Sequence, residues 1–121
     1  MNSRERCLAA IRGEEVDRVP VFPLLMAFAA DHMGVSYREF ATNGAALAEA
    51  QLFVYERFRP DALTVASDTA RLPADLGGDI AYPENHPPFV RSPILRDPAE
   101  LKSLRRPDPI RKGSRMADRL L

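Results

Sequence analysis

Cysteine is almost missing from this 121-residue chain: Cys7 stands alone, so no internal disulfide can form, and a reducing, cytoplasmic setting is expected. Cys7 itself reads as a small apolar residue on a helix. An excess of charge of either sign is missing too. Seventeen Lys and Arg balance seventeen Asp and Glu, which leaves no basic stripe for nucleic acid or for an anionic membrane surface. Long apolar runs are absent: Val19 to Ala30 extends for about twelve residues and is interrupted by Pro20 and Pro23, whereas a spanning helix needs about twenty. Glu14, Glu15 and Asp17 precede that run, where a secretory signal would carry basic residues. The sequence also lacks a phosphate-binding glycine loop, a nucleophile elbow and an HExxH pair. His32 and His86 are the two histidines, and neither has a second His or Cys at ligand spacing, so no metal site is expected within this segment. His32 is placed on a helix surface and His86 in a proline-rich loop.

What is present reads as helices alternating with short apolar strands. Asn2 and Ser3 can cap a first helix, with Glu5 completing a capping box, Leu8 and Ile11 on one face and Gly13 as its stop. Val19 to Leu24 is apolar on both pleat faces, as in a strand covered on both sides. Met26 to Met33 is helical up to Gly34, and Ser36 to Glu39 carries a capping pattern for a further turn. The clearest helix covers 43–59, where Leu47, Ala50, Val54 and Phe58 recur at three and four residues and line one face before Pro60. Ala62 to Ser67 favours a strand ending at Asp68, a helical piece closes at Gly77-Gly78, and Ile80 to Tyr82 suits another strand. Pro83 to Pro93 is assigned to an extended loop around Pro87-Pro88. Asp97-Pro98-Ala99-Glu100 is a strong helix start, and Met116, Leu120 and Leu121 suit the opening turns of a helix that begins at Ser114.

This alternation predicts α/β architecture with parallel pairing, residues 1–121 forming one segment of a single domain. Two or three strands do not finish such a sheet. A (β/α)8 barrel usually needs about 250 residues, so the chain suits roughly the first third to half of one. An incomplete barrel leaves strand edges unpaired, and self-association or a barrel-completing second chain is expected.

The string Arg4-Glu5-Arg6-Cys7-Leu8-Ala9-Ala10-Ile11-Arg12-Gly13-Glu14, followed by Asp17-Arg18-Val19-Pro20-Val21, resembles the opening of the uroporphyrinogen decarboxylase superfamily, including its methyltransferase branch. The likeness continues through Tyr55-Glu56-Arg57-Phe58, Asp61-Ala62-Leu63, Ser67-Asp68, Leu76-Gly77-Gly78, Ile94 to Pro98, Leu104 and Pro107-Asp108-Pro109, in the family's order. The resemblance implies a (β/α)8 barrel and a small-molecule substrate, a tetrapyrrole or a corrinoid. Decarboxylases of this superfamily remove acetate carboxylates from a porphyrinogen without a cofactor. Its methyltransferases move a methyl group between a corrinoid and a thiol held by zinc. Zinc and corrinoid are thus implied only for a full-length methyltransferase-like relative, whose ligands lie in a C-terminal half, and no cofactor is expected on this segment.

Asp68 is the candidate catalytic residue. It closes a predicted strand, where barrel enzymes place their chemistry, and it matches the family's aspartate, which accepts pyrrole N–H groups and stabilises a cationic ring intermediate. It equally suits an N-cap for the helical piece beginning at Thr69. Leu25, Met26 and Phe28 are candidate substrate-binding residues, with a plain core role as the alternative. The stretch Leu25-Met26-Ala27-Phe28-Ala29 stands where decarboxylases carry an Arg-Gln-Ala-Gly-Arg motif for substrate carboxylates, and it offers neither charge nor donors. Arg18 and Arg71 are the nearest substitutes in sequence. The basic residues Arg105, Arg106, Arg111, Lys112 and Arg115 are interspersed with Asp108 and Asp118 and read as a solvated stretch. The expected function is the N-terminal part of an enzyme of the corrinoid-linked methyltransferase type. A decarboxylase with altered substrate, or a non-catalytic remnant that associates with another chain, is the alternative.

Overall fold

Local capping signals set the first element. In the computed structural model, which describes residues 1–104, 106–111 and 113–117, helix α1 spans Ser3–Arg12. The Asn2 side chain accepts from the Glu5 N–H at 2.9 Å, and the Glu5 carboxylate accepts from the Asn2 N–H at 2.9 Å, so the capping box is formed. Gly13, at φ 72°, ends the helix in the left-handed region. The buried face differs from the expected one: Ile11 is 82% exposed and Leu8 only half-buried, while Arg6 and Ala9 face inward. Charge decides this, because Arg6 is drawn inward by Asp17 and Asp61.

The core is a helical layer. Helices α2 (Met26–Met33), α3 (Tyr37–Thr42) and α4 (Gly44–Phe58) bury Ala29, Ala30, Tyr37, Phe40, Ala41, Leu47, Ala50 and Val54 against one another, with Leu25, Met26 and Val35 packed at the margin. Alanines at four of those positions let the helix backbones approach closely. Gly34 at φ 74° ends α2, and the Ser36 hydroxyl accepts from the Glu39 N–H at 3.2 Å to start α3. Phe58 departs from the expected buried face. It is 53% exposed, because it occupies the last position of α4 before Arg59 turns left-handed at φ 49°.

The two strands expected at 19–24 and 62–67 are not formed, and with them goes the expected parallel pairing. One backbone bond joins the first stretch to the residue just before the second, from the Asp61 N–H to the Val21 carbonyl at 2.8 Å. The next rung of a parallel ladder would need an N–H at position 23, and Pro23 has none. The Val21 N–H goes instead to the Asp61 carboxylate at 2.8 Å, and the Cys7 thiol approaches the Asp61 carbonyl at 3.8 Å. Val19, Val21, Phe22 and Leu24 accordingly stay exposed rather than covered.

Helix α5 (Arg71–Asp75) follows, and then a tight turn in which Gly78 comes so near Pro73 that a Cβ would lie 2.9 Å from its carbonyl oxygen. Strand β1 (Ile80–Ala81) pairs antiparallel with β2 (Phe89–Val90) in a two-stranded sheet, Ile80 opposite Val90 and Ala81 opposite Phe89. The stretch assigned to a loop up to Pro93 therefore contains a strand. Pro88, just before β2, is buried, and the chain resumes extended pairing directly after it. A 3-10 helix (Pro98–Ser103) begins at Asp97, whose side chain accepts from the Ala99 N–H at 2.7 Å. The Ser114 hydroxyl accepts from the N–H groups of Met116 and Ala117 at 3.1 and 3.2 Å, as the expected helix start requires; Leu120 and Leu121 lie outside the described residues. The described residues thus make a mixed helix and strand unit with one antiparallel pair, consistent with an incomplete barrel and not with a closed sheet. No helix among them is long and apolar enough to cross a membrane.

Candidate functional site

Asp68 lies just after the 62–67 stretch, and its side chain has no exposed surface. Both carboxylate oxygens are in use. Oδ1 accepts from the Ala70 N–H at 2.8 Å and from Arg115 Nη1 at 3.2 Å; Oδ2 accepts from the Ser67 hydroxyl at 2.7 Å and from Arg115 Nη2 at 3.0 Å. The bond to Ala70 is an Asx-type turn and not the expected N-cap, because the helix starts only at Arg71 and Ala70, its N-cap residue, gives it no side-chain cap. Burial works against the Asp68 charge. The hydrogen bonds from Arg115 and Ser67, the Arg115 charge and the Ala70 N–H outweigh it and hold the carboxyl below its ordinary range.

Arg115 belongs to the stretch that the sequence assigns to solvent, and here the structure corrects that reading: its side chain is only 13% exposed. Its Nη2 also donates to the Ala41 carbonyl at 2.7 Å, and the guanidinium lies 5.2 Å from the centre of the Tyr82 ring. Asp75 at the end of α5 fixes the chain around it by accepting from the Ser114 hydroxyl at 2.6 Å and the N–H groups of Arg115 and Met116 at 2.8 and 3.2 Å. Tyr37 completes the group, donating its hydroxyl to the Ser67 carbonyl at 2.5 Å. Burial, and then the Asp68 charge, push the Tyr37 phenol up to about 12. Arg106 and Arg111 do stay exposed, while Arg105, Lys112 and Asp118 lie outside the described residues.

The apolar candidates occupy the helical layer, and none of them is a polar partner of Asp68. Leu25 precedes α2 and, with Met26, packs half-buried against the core. Phe28 is 40% exposed and stacks on His32 at 3.9 Å between ring centres, with Phe58 tilted against it at 5.5 Å. His32 is on the helix surface and His86 in the turn between β1 and β2, both exposed as the sequence predicts. A cavity of about 440 Å3 lies beside Asp75, lined by Arg106, Asp108, Arg111 and Ser114 among others, with charges of both signs and without Asp68.

A second ionic group was not anticipated. Asp61 is fully covered and receives Arg6 Nη1 at 2.5 Å, Arg18 Nη1 and Nη2 at 2.6 and 2.9 Å and the Val21 N–H at 2.8 Å. Asp17 holds the other edge of Arg6 at 2.6 and 2.8 Å. The Val21 N–H and Arg18 keep Asp61 well below the usual carboxylate range, Arg6 does the same for Asp17, and Asp17 raises Arg6 in return. Arg18 is therefore committed to Asp61. Arg71 donates to the Val65 carbonyl at 3.1 Å. Partners such as Arg6 and Asp61, or Asp68 and Arg115, are 55 and 47 residues apart, so no local spacing reveals them.

A sequence model of the uroporphyrinogen decarboxylase family matches residues 2–119. A uroporphyrinogen decarboxylase of Prochlorococcus marinus (strain MIT 9211) is 32% identical over 107 residues, which cover 81% of this chain and 30% of that protein. The chain thus spans about 30% of the length of this curated relative. No solved structure matches it.

Proposed function

Because the chain belongs to the uroporphyrinogen decarboxylase family, we propose that it forms the N-terminal part of a (β/α)8-barrel enzyme for a tetrapyrrole-type ligand, of the corrinoid-linked methyl-transfer kind. The observation that carries the reading is the apolar stretch Leu25 to Ala29, partly packed into the helical core, where a polyanionic porphyrinogen would need guanidinium donors. Of the two arginines nearest in sequence, Arg18 is paired with the Asp61 carboxylate, and Arg71 donates to the Val65 carbonyl. Each missing charged hydrogen bond costs roughly 1.5–3 kcal/mol, so two would lower transition-state binding by about two to four powers of ten. Leu25, Met26 and Phe28 then offer an apolar surface to a macrocycle of low charge.

The zinc that such methyl transfer uses to hold a thiol as thiolate does not fit this segment. Cys7 is on α1, His32 on α2 and His86 in the β1–β2 turn, and among the described residues no three His, Cys, Asp or Glu side chains gather as a metal site. In this reading the segment contributes macrocycle binding and the Asp68 pair, and the zinc ligands come from elsewhere in the enzyme.

Decarboxylation of an altered porphyrinogen is the second reading, favoured by the activity named for the Prochlorococcus relative. One experiment separates the two. The full-length polypeptide is assayed for carbon dioxide release from uroporphyrinogen and, with zinc, for methyl transfer from methylcobalamin to a thiol. Zinc-dependent methyl transfer without decarboxylation is the expected result, and efficient decarboxylation would overturn it.

A further inference from the structure

The Asp68 carboxylate is saturated with hydrogen bonds. A carboxylate accepts about four hydrogen bonds, two at each oxygen. Ala70, Ser67 and the two Arg115 nitrogens supply four donors, and the side chain has no exposed surface. Asp68 in this arrangement has nothing left for the inward-pointing N–H groups of a porphyrinogen. A corrinoid makes no such demand, since all four of its ring nitrogens bind cobalt and carry no hydrogen.

The guanidinium presents the opposite polarity. Of its five N–H groups, two serve Asp68 and one serves the Ala41 carbonyl. Among the described residues the Nε–H and the second Nη1–H have no hydrogen-bond partner. Asp75, which grips the backbone at Arg115 and Met116, and the Tyr82 ring hold the group in place. We propose that Arg115 is a specificity-determining residue: by filling Asp68 it turns the site away from macrocycles with N–H donors and toward those presenting acceptor oxygens, such as the carboxamide and phosphate groups around a metallated corrin. The inference rests on the reading that this segment lines a tetrapyrrole site.

The test uses the full-length polypeptide and two probes, hydroxocobalamin and uroporphyrinogen, with dissociation constants measured by anaerobic equilibrium dialysis. Arg115→Met keeps an apolar stem against Tyr82 and removes every N–H. The affinity of this variant for uroporphyrinogen should rise at least tenfold while that for hydroxocobalamin falls. Losing a positive charge would by itself weaken binding of an octacarboxylate, so a gain cannot come from general electrostatics. Adding Asp68→Asn should abolish the gain, because the amide places donors where the carboxylate accepts. If Arg115→Met fails to fold by circular dichroism, Arg115→Lys replaces it, since one ammonium cannot span both oxygens as the fork does; a smaller gain in the same direction is expected. An unchanged preference in a folded Arg115 variant would overturn the inference. A wild-type protein that ignores hydroxocobalamin would instead overturn the methyl-transfer reading, and the gain at Asp68 would still decide the role of Arg115.

Discussion

Asp61 and Asp79 show how differently two carboxylates of the same chain behave. Asp79 meets Arg91 at 3.2 Å with both side chains more than half exposed, and such surface pairs contribute roughly 0–1 kcal/mol. Asp61 is covered and serves two arginines and a backbone N–H at once. Replacing it by Asn removes the charge but leaves Arg6 buried with one counter-ion fewer. We expect Asp61→Asn to lower the melting temperature clearly and Asp79→Asn to leave it nearly unchanged, as read by differential scanning calorimetry. Comparable shifts in the two variants would show that the Asp61 cluster is no more than a surface pair. The sequence made Asp68 visible through its place after a predicted strand, whereas Asp61, Arg6 and Arg115 gave no such sign. Their importance arises from pairings across about half the chain, and charged residues scattered in sequence ordinarily read as solvated.

Caps and stops were the most legible features at the scale of elements, because each depends on a few adjacent residues. The Asn2–Glu5 box, the Gly13 and Gly34 stops and the cap at Ser36 all stand where the sequence places them. The strands at 19–24 and 62–67 were not recoverable in the same way, since a strand exists only with a partner and Pro23 removes the donor for the second rung. Asn43 shows the economy of the helical layer. It closes α3 through its N–H to the Glu39 carbonyl and opens α4 by accepting from Ala45 and Ala46 at 3.0 and 3.3 Å. Asn43→Ala keeps the first bond and loses the others, so it should cost about 1 kcal/mol, measurable by urea unfolding. A neutral result would mean that tertiary packing, not the cap, fixes the start of α4.

For the molecule as a whole, arginines tie the first helix to Asp61, just after α4, and the last described turn to Asp68 and to the Ala41 carbonyl of α3. The pH limits of stability follow from the groups involved. The folded-state values of Asp17, Asp61, Asp68 and Asp75 are depressed, so their contribution is complete above the unfolded value of about 3.9 and is lost as pH falls below it through the folded values. Tyr37 acts at the other end: its phenol is raised to about 12, so the folded state is favoured below the unfolded value of about 10 and that advantage disappears as pH rises toward 12. Unfolding followed by circular dichroism should therefore show a plateau between these limits, and Tyr37→Phe should flatten the alkaline limb alone. Equal alkaline loss in the variant would assign that limb to other groups.

The contact between Val21 and Asp61 is reciprocal and involves no residue beyond position 61. A polypeptide leaves the ribosome N-terminus first, so both partners of this contact are present once residue 61 has emerged. A slip of one residue at this contact would break the bonds at the Val21 carbonyl and the Val21 N–H together. Arg6 and Arg18 close on the same carboxylate and oppose such a slip. The alignment of these two stretches therefore depends on no residue made after Asp61, those of β1 and β2 included.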